Sequence, residues 1–340
     1  MSDEVKNRAS QILEAINSSR NILLHFHPSP DADSMGSTLA LSFYLKSLGK
    51  AVTVISGDSP VPREALSLPG IDTVTQKNYF EINPSDFDLF LILDSSSPDQ
   101  ISKLQPVTFP PGMKTVVIDH HISNASFGNI NLIDAEAPAA GQVVYDLLVS
   151  WQAEITHDIA LCLLMAIHSD TGGFSYPGTT SATFSAAEHL AKIAPDFTDH
   201  VFYYSNQNDP KKVLFEGIAL TSVKLYFGSR VAISQVTHSQ LSVNDIQKSQ
   251  IEKAEISNIL KSVVGWDLGI SFVEREPGII SVSFRTRLPD QFDLSKIAIM
   301  TGSGGGHKSA AGATIRMPFE EGLAFLLGKI KEAYPVLGEP

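Results

Sequence analysis

Carboxylates and imidazoles recur in this chain at the ends of short apolar runs. ILLHF (22–26) leads into His27, Asp31 and Asp33, LFLIL (89–93) into Asp94, and TVVI (115–118) into Asp119, His120 and His121. Asp170 follows the apolar stretch DIALCLLMAIHS and opens the turn DTGGF. Gathered in one cleft, the carboxylates Asp31, Asp33, Asp94 and Asp170 would repel each other unless cations sat among them. Two divalent ions match that charge. The donors are oxygen and imidazole, with no sulfur, which favours Mn²⁺ over a structural zinc and admits Mg²⁺ or Co²⁺. Two such ions about 3.5–4 Å apart form a clamp for in-line attack of activated water on phosphorus. One carboxylate, here Asp94, would bridge them.

Each residue also has a plainer reading. A single Asp after a strand is usually a turn residue or helix cap, and Asp33 would cap a helix starting near Met35. The repetition over consecutive strands weakens that reading. His25 shares a strand face with His27 and reads as a buried histidine. His168 packs on its helix, and Cys162 is an inert core residue. Gly36 and Ser37 either hold a phosphate oxygen at a helix N-terminus or serve helix packing.

A second constellation lies near the C-terminus. In ISVSFRTR (280–287), Ile280, Val282 and Phe284 point one way, and Ser283, Arg285 and Arg287 the other. Two guanidiniums on one face make a fork for phosphate or carboxylate; solvated surface arginines are the bland alternative. The run Gly304, Gly305, Gly306 then ends in His307. Glycines allow close backbone approach, and their N–H groups can cradle an anion.

The elements that must position these groups alternate. A helix over 3–17 precedes the strand 22–26, a helix from Met35 to Leu48, and strands at 51–55, 89–93 and 115–118. Helices over 141–151 and 157–168 follow. Strands that are apolar throughout and alternate with helices predict a parallel sheet covered on both faces, whose carboxyl-end loops meet in one crevice. The fold class is α/β: an N-terminal parallel-sheet domain (1–195), a helical linker (196–228) preceded by Pro195 and broken by Pro210, and a smaller α/β domain (229–337). The last is expected to hold a strand at 231–237, a helix over about 244–264, strands at 268–274 and 279–287, and a closing helix at 319–332.

The chain has 340 residues, 43% hydrophobic and 18% charged, enough for a real core and for two domains. With 25 Lys+Arg against 37 Asp+Glu, its net charge is −12, which argues against a long duplex as the main ligand. A single cysteine allows no internal disulfide and no thiolate cluster, in keeping with a reducing cytoplasm. The amphipathic N-terminus lacks a signal-peptide core, and no apolar run is long enough to span a bilayer. A soluble cytoplasmic protein without a membrane partner is expected.

Together these segments resemble the DHH phosphoesterase family with its associated C-terminal domain. HPSPDADSMGS, LILDSSS, VVIDHH, HSDTGGF and SGGGHKSAAG look like its motifs, in order, over roughly 20–315. The resemblance implies that His27, Asp31 and Asp94 bind one Mn²⁺, and that Asp33, Asp94, His120 and Asp170 bind the other. It makes Asp119 the residue that orients its neighbours and His121 the group facing the substrate phosphate, able to protonate the leaving oxygen. Arg285, Arg287 and Gly304–His307 would hold the distal part of the substrate. The chain departs from the pattern at Pro98–Gln100, where many members carry Arg, and at Ala139–Gly141, where many have Ser or Thr. Its size leaves no room for the added barrel of RecJ-type exonucleases, and no membrane or sensory segment is present.

The compact nano-RNase/pAp-phosphatase (NrnA-like) group remains. That implies cleavage of oligoribonucleotides of about 2–5 units, or removal of a phosphate from 3′-phosphoadenosine 5′-phosphate (pAp). A phosphodiesterase of cyclic di-AMP or pApA is the nearest alternative, and a non-catalytic nucleotide-binding regulator the alternative of another class. A homodimer is compatible with each.

Overall fold

Apolar runs of this length are too short to stand as isolated helices and too hydrophobic to face water, so they pair edge to edge. The structure is a computed structural model and describes residues 3–339. It divides into two units, Met1–Gln207 and Asn208–Pro340.

The first unit contains α1 (Asp3–Ser18), β1 (Asn21–His25), α2 (Ala32–Ser47), β2 (Ala51–Ile55), β3 (Leu89–Leu93), β4 (Lys114–Asp119) and β5 (Ile130–Ile133). The helices α3 (Ala140–Ser150), α4 (His157–Asp170), α5 (Ser181–Ile193) and α6 (Phe197–Ser205) complete it. Its sheet runs β2-β1-β3-β4-β5, and every pair is parallel. One face packs Ile22, Leu24, Leu91 and Val116 against Ile12, Leu39, Val143 and Leu163 of the helices. The other buries Leu23, Phe90, Ile92 and Val117 under Tyr79, Ile101 and Met113 from the irregular segments flanking β3. Burial on both sides explains why these strands are apolar at every position rather than at alternate ones.

The second unit contains α7 (Pro210–Thr221), β6 (Val223–Tyr226), β7 (Val231–Val236), α8 (His238–Val243), α9 (Lys248–Lys253) and α10 (Ile256–Lys261). β8 (Leu268–Glu276), β9 (Ile279–Thr286), α11 (Leu294–Met300), β10 (Gly304–Gly306), β11 (Ala310–Arg316) and α12 (Phe319–Ala333) follow. Its sheet runs β10-β11-β9-β8-β7-β6, with β7 and β8 the parallel pair. Ile280, Val282 and Phe284 are buried as their alternation predicts.

Three expectations change. The helix expected over 244–264 is broken into short helices because Asp245 and Glu255 take left-handed backbone (φ 52° and 46°), which a helix cannot carry. The stretch 196–228 is divided between the units rather than set apart: α6 lies in the first, α7 in the second, and Val223–Tyr226 is a strand paired with β7. Finally, α2 starts at Ala32, because Asp31 rather than Asp33 is its cap. Asp31 Oδ1 accepts from the N–H groups of Asp33 (3.0 Å) and Ser34 (2.9 Å).

Among the described residues no helix is long and apolar enough to cross a membrane.

Gly36 sits where α2 meets α4, and a Cβ there would stand 2.4 Å from the Cys162 carbonyl oxygen. Helix packing thus requires a glycine there. Gly36→Val is expected to destabilise the protein by about 1–3 kcal/mol, read from the midpoint of urea unfolding. An unchanged midpoint would contradict the close crossing.

Candidate metal centre

The carboxyl ends of β1, β3 and β4 converge, as they must when parallel neighbours share one direction. The loop after β1 supplies His27 and Asp31, the first turn of α2 supplies Asp33, and the end of β3 supplies Asp94. The end of β4 supplies Asp119, His120 and His121, and the last turn of α4 brings Asp170. Asp94 takes left-handed backbone (φ 48°) immediately after β3, where its N–H still bonds to the Ile118 carbonyl. Asp tolerates this conformation better than most residues, and strained backbone of this kind concentrates at functional sites.

Asp94 joins two sets of donors, one to each oxygen. Its Oδ2 lies 3.3 Å from His27 Nε2, which is 3.8 Å from Asp31 Oδ2. Its Oδ1 lies 3.6 Å from His120 Nε2. That nitrogen is also 3.3 Å from Asp170 Oδ2 and 3.8 Å from Asp33 Oδ2. His27, Asp31 and Asp94 thus form one group able to hold an ion, and Asp33, His120 and Asp170 form another. Asp94, Asp119, His120 and His121 also cluster. All eight residues expected in this cleft from the sequence are brought together.

Most of these separations exceed good hydrogen bonds. They run from 3.3 to 3.8 Å, within or a few tenths of an ångström beyond the roughly 3.0–3.5 Å between two ligands that each stand about 2.1 Å from one ion. A second observation agrees. Asp94 Oδ1 and His120 Nε2 are buried without a hydrogen-bond partner, a costly condition unless a cation satisfies them. The donor set is oxygen and imidazole, which suits a divalent cation.

The electrostatics carry the same sign. Asp33 is fully buried, and burial together with the charges of Asp94, Asp170 and Asp31 pushes its carboxyl well above the usual range. Burial and the charges of Asp31 and Asp94 lift Asp170 to about 6. Burial opposes a charge on His27, but its contacts with Asp31 and Asp94 outweigh it and raise the imidazole to about 10. Burial also opposes the charge on Asp94, yet His120 and His27 hold its carboxyl well below the usual range. The imidazoles therefore act as counter-charges where no ion is bound.

Asp33 has a support that spacing did not reveal. Its Oδ2 accepts the Ala140 N–H (2.7 Å) and its Oδ1 the Gly141 N–H (2.8 Å). Ala139 offers no side-chain cap to α3, so Asp33 caps that helix from 107 residues away. A Cβ on Gly141 would stand 2.5 Å from the Ala166 Cβ, so glycine keeps this approach open. The family departure at Ala139–Gly141 falls at this contact.

His25 stays outside the ligand groups. It is fully buried, stacks edge-on against Phe90, and bonds Phe26 O through Nδ1; burial lowers it to about 3, so it is neutral. His168 packs edge-on against Phe174, and Cys162 is buried, with its thiol pushed up by burial.

In the second unit Arg285 is half-buried, and its Nη1 donates to Ser283 Oγ (3.2 Å) and to the Phe284 carbonyl (2.9 Å). Arg287 lies one residue beyond β9 and donates to the Val263 carbonyl (3.1 Å). Gly304, Gly305 and Gly306 form an edge strand rather than a free loop, paired to Ala313, Gly312 and Ala311. His307 is exposed in the turn that returns to β11.

Residues 21–167 match the DHH family, N-terminal domain, and residues 228–334 match the DHHA1 domain. The bifunctional oligoribonuclease and PAP phosphatase NrnA of Thermus thermophilus is 28% identical over 311 residues, which cover 90% of this chain and 87% of that protein. A probable manganese-dependent inorganic pyrophosphatase of Lactobacillus acidophilus is 28% identical over 277 residues, 73% of this chain and 87% of its own. The crystal structure of an exopolyphosphatase-related protein from Bacteroides fragilis aligns with a TM-score of 0.87 at 23% identity, over 98% of each chain. That likeness speaks for the fold.

Ligating imidazoles must be neutral, whereas His27, raised to about 10, carries a proton at neutral pH before an ion arrives. Titrating Mn²⁺ into chelator-treated protein at pH 7.5 should therefore release protons. Calorimetry in buffers of different ionisation enthalpy measures this. Binding without proton release would remove His27 from the ligand set.

Proposed function

From the premise that this chain carries a DHH-family N-terminal domain followed by a DHHA1 domain, and is thus a hydrolase of phosphate esters, we propose that it cleaves short oligoribonucleotides and removes a phosphate from pAp. It would use two divalent ions, with Mn²⁺ preferred. The observation that carries the reading is Asp94, whose two oxygens face separate donor groups while its Oδ1 and His120 Nε2 lie buried without a partner. The name of the Thermus thermophilus relative supports the substrate class, and that of the Lactobacillus acidophilus relative supports manganese.

His27, Asp31 and Asp94 would hold one ion; Asp33, Asp94, His120 and Asp170 would hold the other. Bound there, such ions activate water and stabilise the charge of the transferring phosphoryl group. The chain's own groups do the rest. Asp119, fully buried, accepts a hydrogen bond from His121 Nδ1–H at 2.8 Å, which leaves Nε2 for the substrate. The bond to Asp119, working against burial, lifts His121 to about 9, so it carries a proton to give to the leaving oxygen. Arg285, Arg287 and the segment Gly304–His307 are assigned to binding the anionic remainder of the substrate. An acidic chain with few local cations suits a short anion better than a long duplex.

A substrate panel tests this reading. With Mn²⁺ the protein should release mononucleotides from pApA and phosphate from pAp, faster than it opens cyclic di-AMP. Asp94→Asn should lose about 100-fold or more in kcat. The absence of hydrolysis with Mn²⁺, Mg²⁺ and Co²⁺ would end it.

The glycine strand allows a separate test. A Cβ on Gly304 would stand 2.6 Å from the carbonyl oxygens of Ala298 and Gly312, whereas one on Gly305 would meet nothing within 4 Å. Gly305→Val should raise KM about tenfold with an unchanged thermal midpoint. An unchanged KM would remove this strand from substrate binding.

A further inference from the structure

Asn124 stands behind the imidazole of His121, linked to it through Asp119. Its Nδ2 donates to Asp119 Oδ2 at 2.6 Å and to the Ser95 carbonyl oxygen at 3.0 Å. Its Oδ1 accepts the Ser126 N–H at 2.7 Å, and its own N–H donates to the His121 carbonyl oxygen at 3.0 Å. Both ends of the amide are therefore engaged, which fixes its orientation. The other oxygen of Asp119, Oδ1, accepts His121 Nδ1 and the His120 N–H, both at 2.8 Å.

This division of labour has a mechanical consequence. A carboxylate turns about its Cβ–Cγ bond, and with one oxygen held it can swing out of the plane its partner needs. The Asn124 amide holds the second oxygen. It does so from a frame tied to Ser95, the residue after Asp94, beside a second tie between the β3 and β4 loops from the Ala125 N–H to the Ser96 carbonyl (2.9 Å). Asp119 is fully buried, whereas His121 is about half exposed, with the His120 ring 4.4 Å away, and its Nδ1 bond to Asp119 is the short polar contact that directs it.

We infer that Asn124 is a positioning residue for leaving-group protonation: it locks Asp119 so that His121 keeps its Nδ1 proton on that carboxylate and presents Nε2–H to the ester. This rests on the proposed role of His121 as proton donor. In the step concerned, the P–O bond to the leaving ribose oxygen breaks while the P–O bond to water forms. The His121 Nε2 proton goes to the leaving oxygen, and the proton lost by water returns the balance through solvent. Asn124 touches none of the reacting atoms.

The test compares two leaving groups on the Mn²⁺-loaded protein. A ribose alkoxide needs the proton; p-nitrophenolate does not. In Asn124→Ala, and in Asn124→Asp, which sets an oxygen against Asp119 Oδ2 and the Ser95 carbonyl, kcat for pApA should fall about 10–100-fold with little change in KM. On a nucleoside 5′-p-nitrophenyl phosphate it should stay within about twofold of the parent. Equal losses on both substrates, or a loss in KM alone, would overturn the inference. Asn124→Ser, which keeps one donor, should recover part of the pApA rate and carries the test if the other variants do not fold. A readout independent of turnover is the His121 Nδ1–H proton resonance of the metal-free protein. It should be sharp and downfield in the parent and broadened by exchange in the variants, and an unchanged resonance would overturn the inference. If the parent hydrolyses neither substrate, the proposed function fails, and the resonance alone judges Asn124.

Discussion

Four carboxylates drawn into one cleft are the constraint around which the first unit is built. Like charges about 4 Å apart repel by roughly 4 kcal/mol even at an effective dielectric of 20, and Asp33 and Asp94 are almost wholly removed from water. The two buried carboxylates are compensated by the protein itself. Asp33 is met by two backbone N–H groups at the start of α3. Asp94 is met by His27 and His120, one to each oxygen. The remaining negative charge, and the buried atoms Asp94 Oδ1 and His120 Nε2 that lack a hydrogen bond, suit a divalent cation.

Holding such a cluster needs a frame that does not yield. The parallel sheet supplies it, because its central strands are buried on both faces and end at one edge in consecutive order. Asp94, Asp119, His120 and His121 sit within two residues of those ends, and His27, Asp31 and Asp33 within eight, while Asp170 comes from the end of α4. Where the loops leave the sheet they are tied back at short range: Asp31 caps α2, Ser34 Oγ accepts the His27 N–H, and Asp94 is held in left-handed backbone. A cluster carried on free loops would relax apart under its own repulsion.

The second unit is built differently. Its proposed role in holding a short anion would call for donors and an open backbone rather than buried charge. Its sheet ends in an edge strand of three glycines, and the spaces above Gly304 and Gly305 differ: one is filled by neighbouring carbonyls and the other is open. Run length could not distinguish them, because both are glycine and the difference lies in what packs above each. The pairing of Gly304–Gly306 with β11 was likewise hidden, since a strand without side chains has no hydropathy period. Arg285 and Arg287, two apart in an alternating run, read as one fork. The strand ends at Thr286, and the two guanidiniums bond to different segments.

By itself the sequence determined the parallel-sheet class, the strands whose ends meet at the cluster and the residue types gathered there. Those features are written in local hydropathy and in residue type, which need no partner to be read. Tertiary structure decided the rest: which oxygen of Asp94 serves which imidazole, that Asp33 caps a helix starting at Ala140, and that the Asn124 amide stands behind Asp119 and His121. It also decided that 244–264 breaks into short helices and that 196–228 is shared between the units. These are relations between side chains and backbone groups set by strand register and by which element happens to pack alongside. A linear pattern records neither, because the free energy of such a contact depends on the neighbour as much as on the residue.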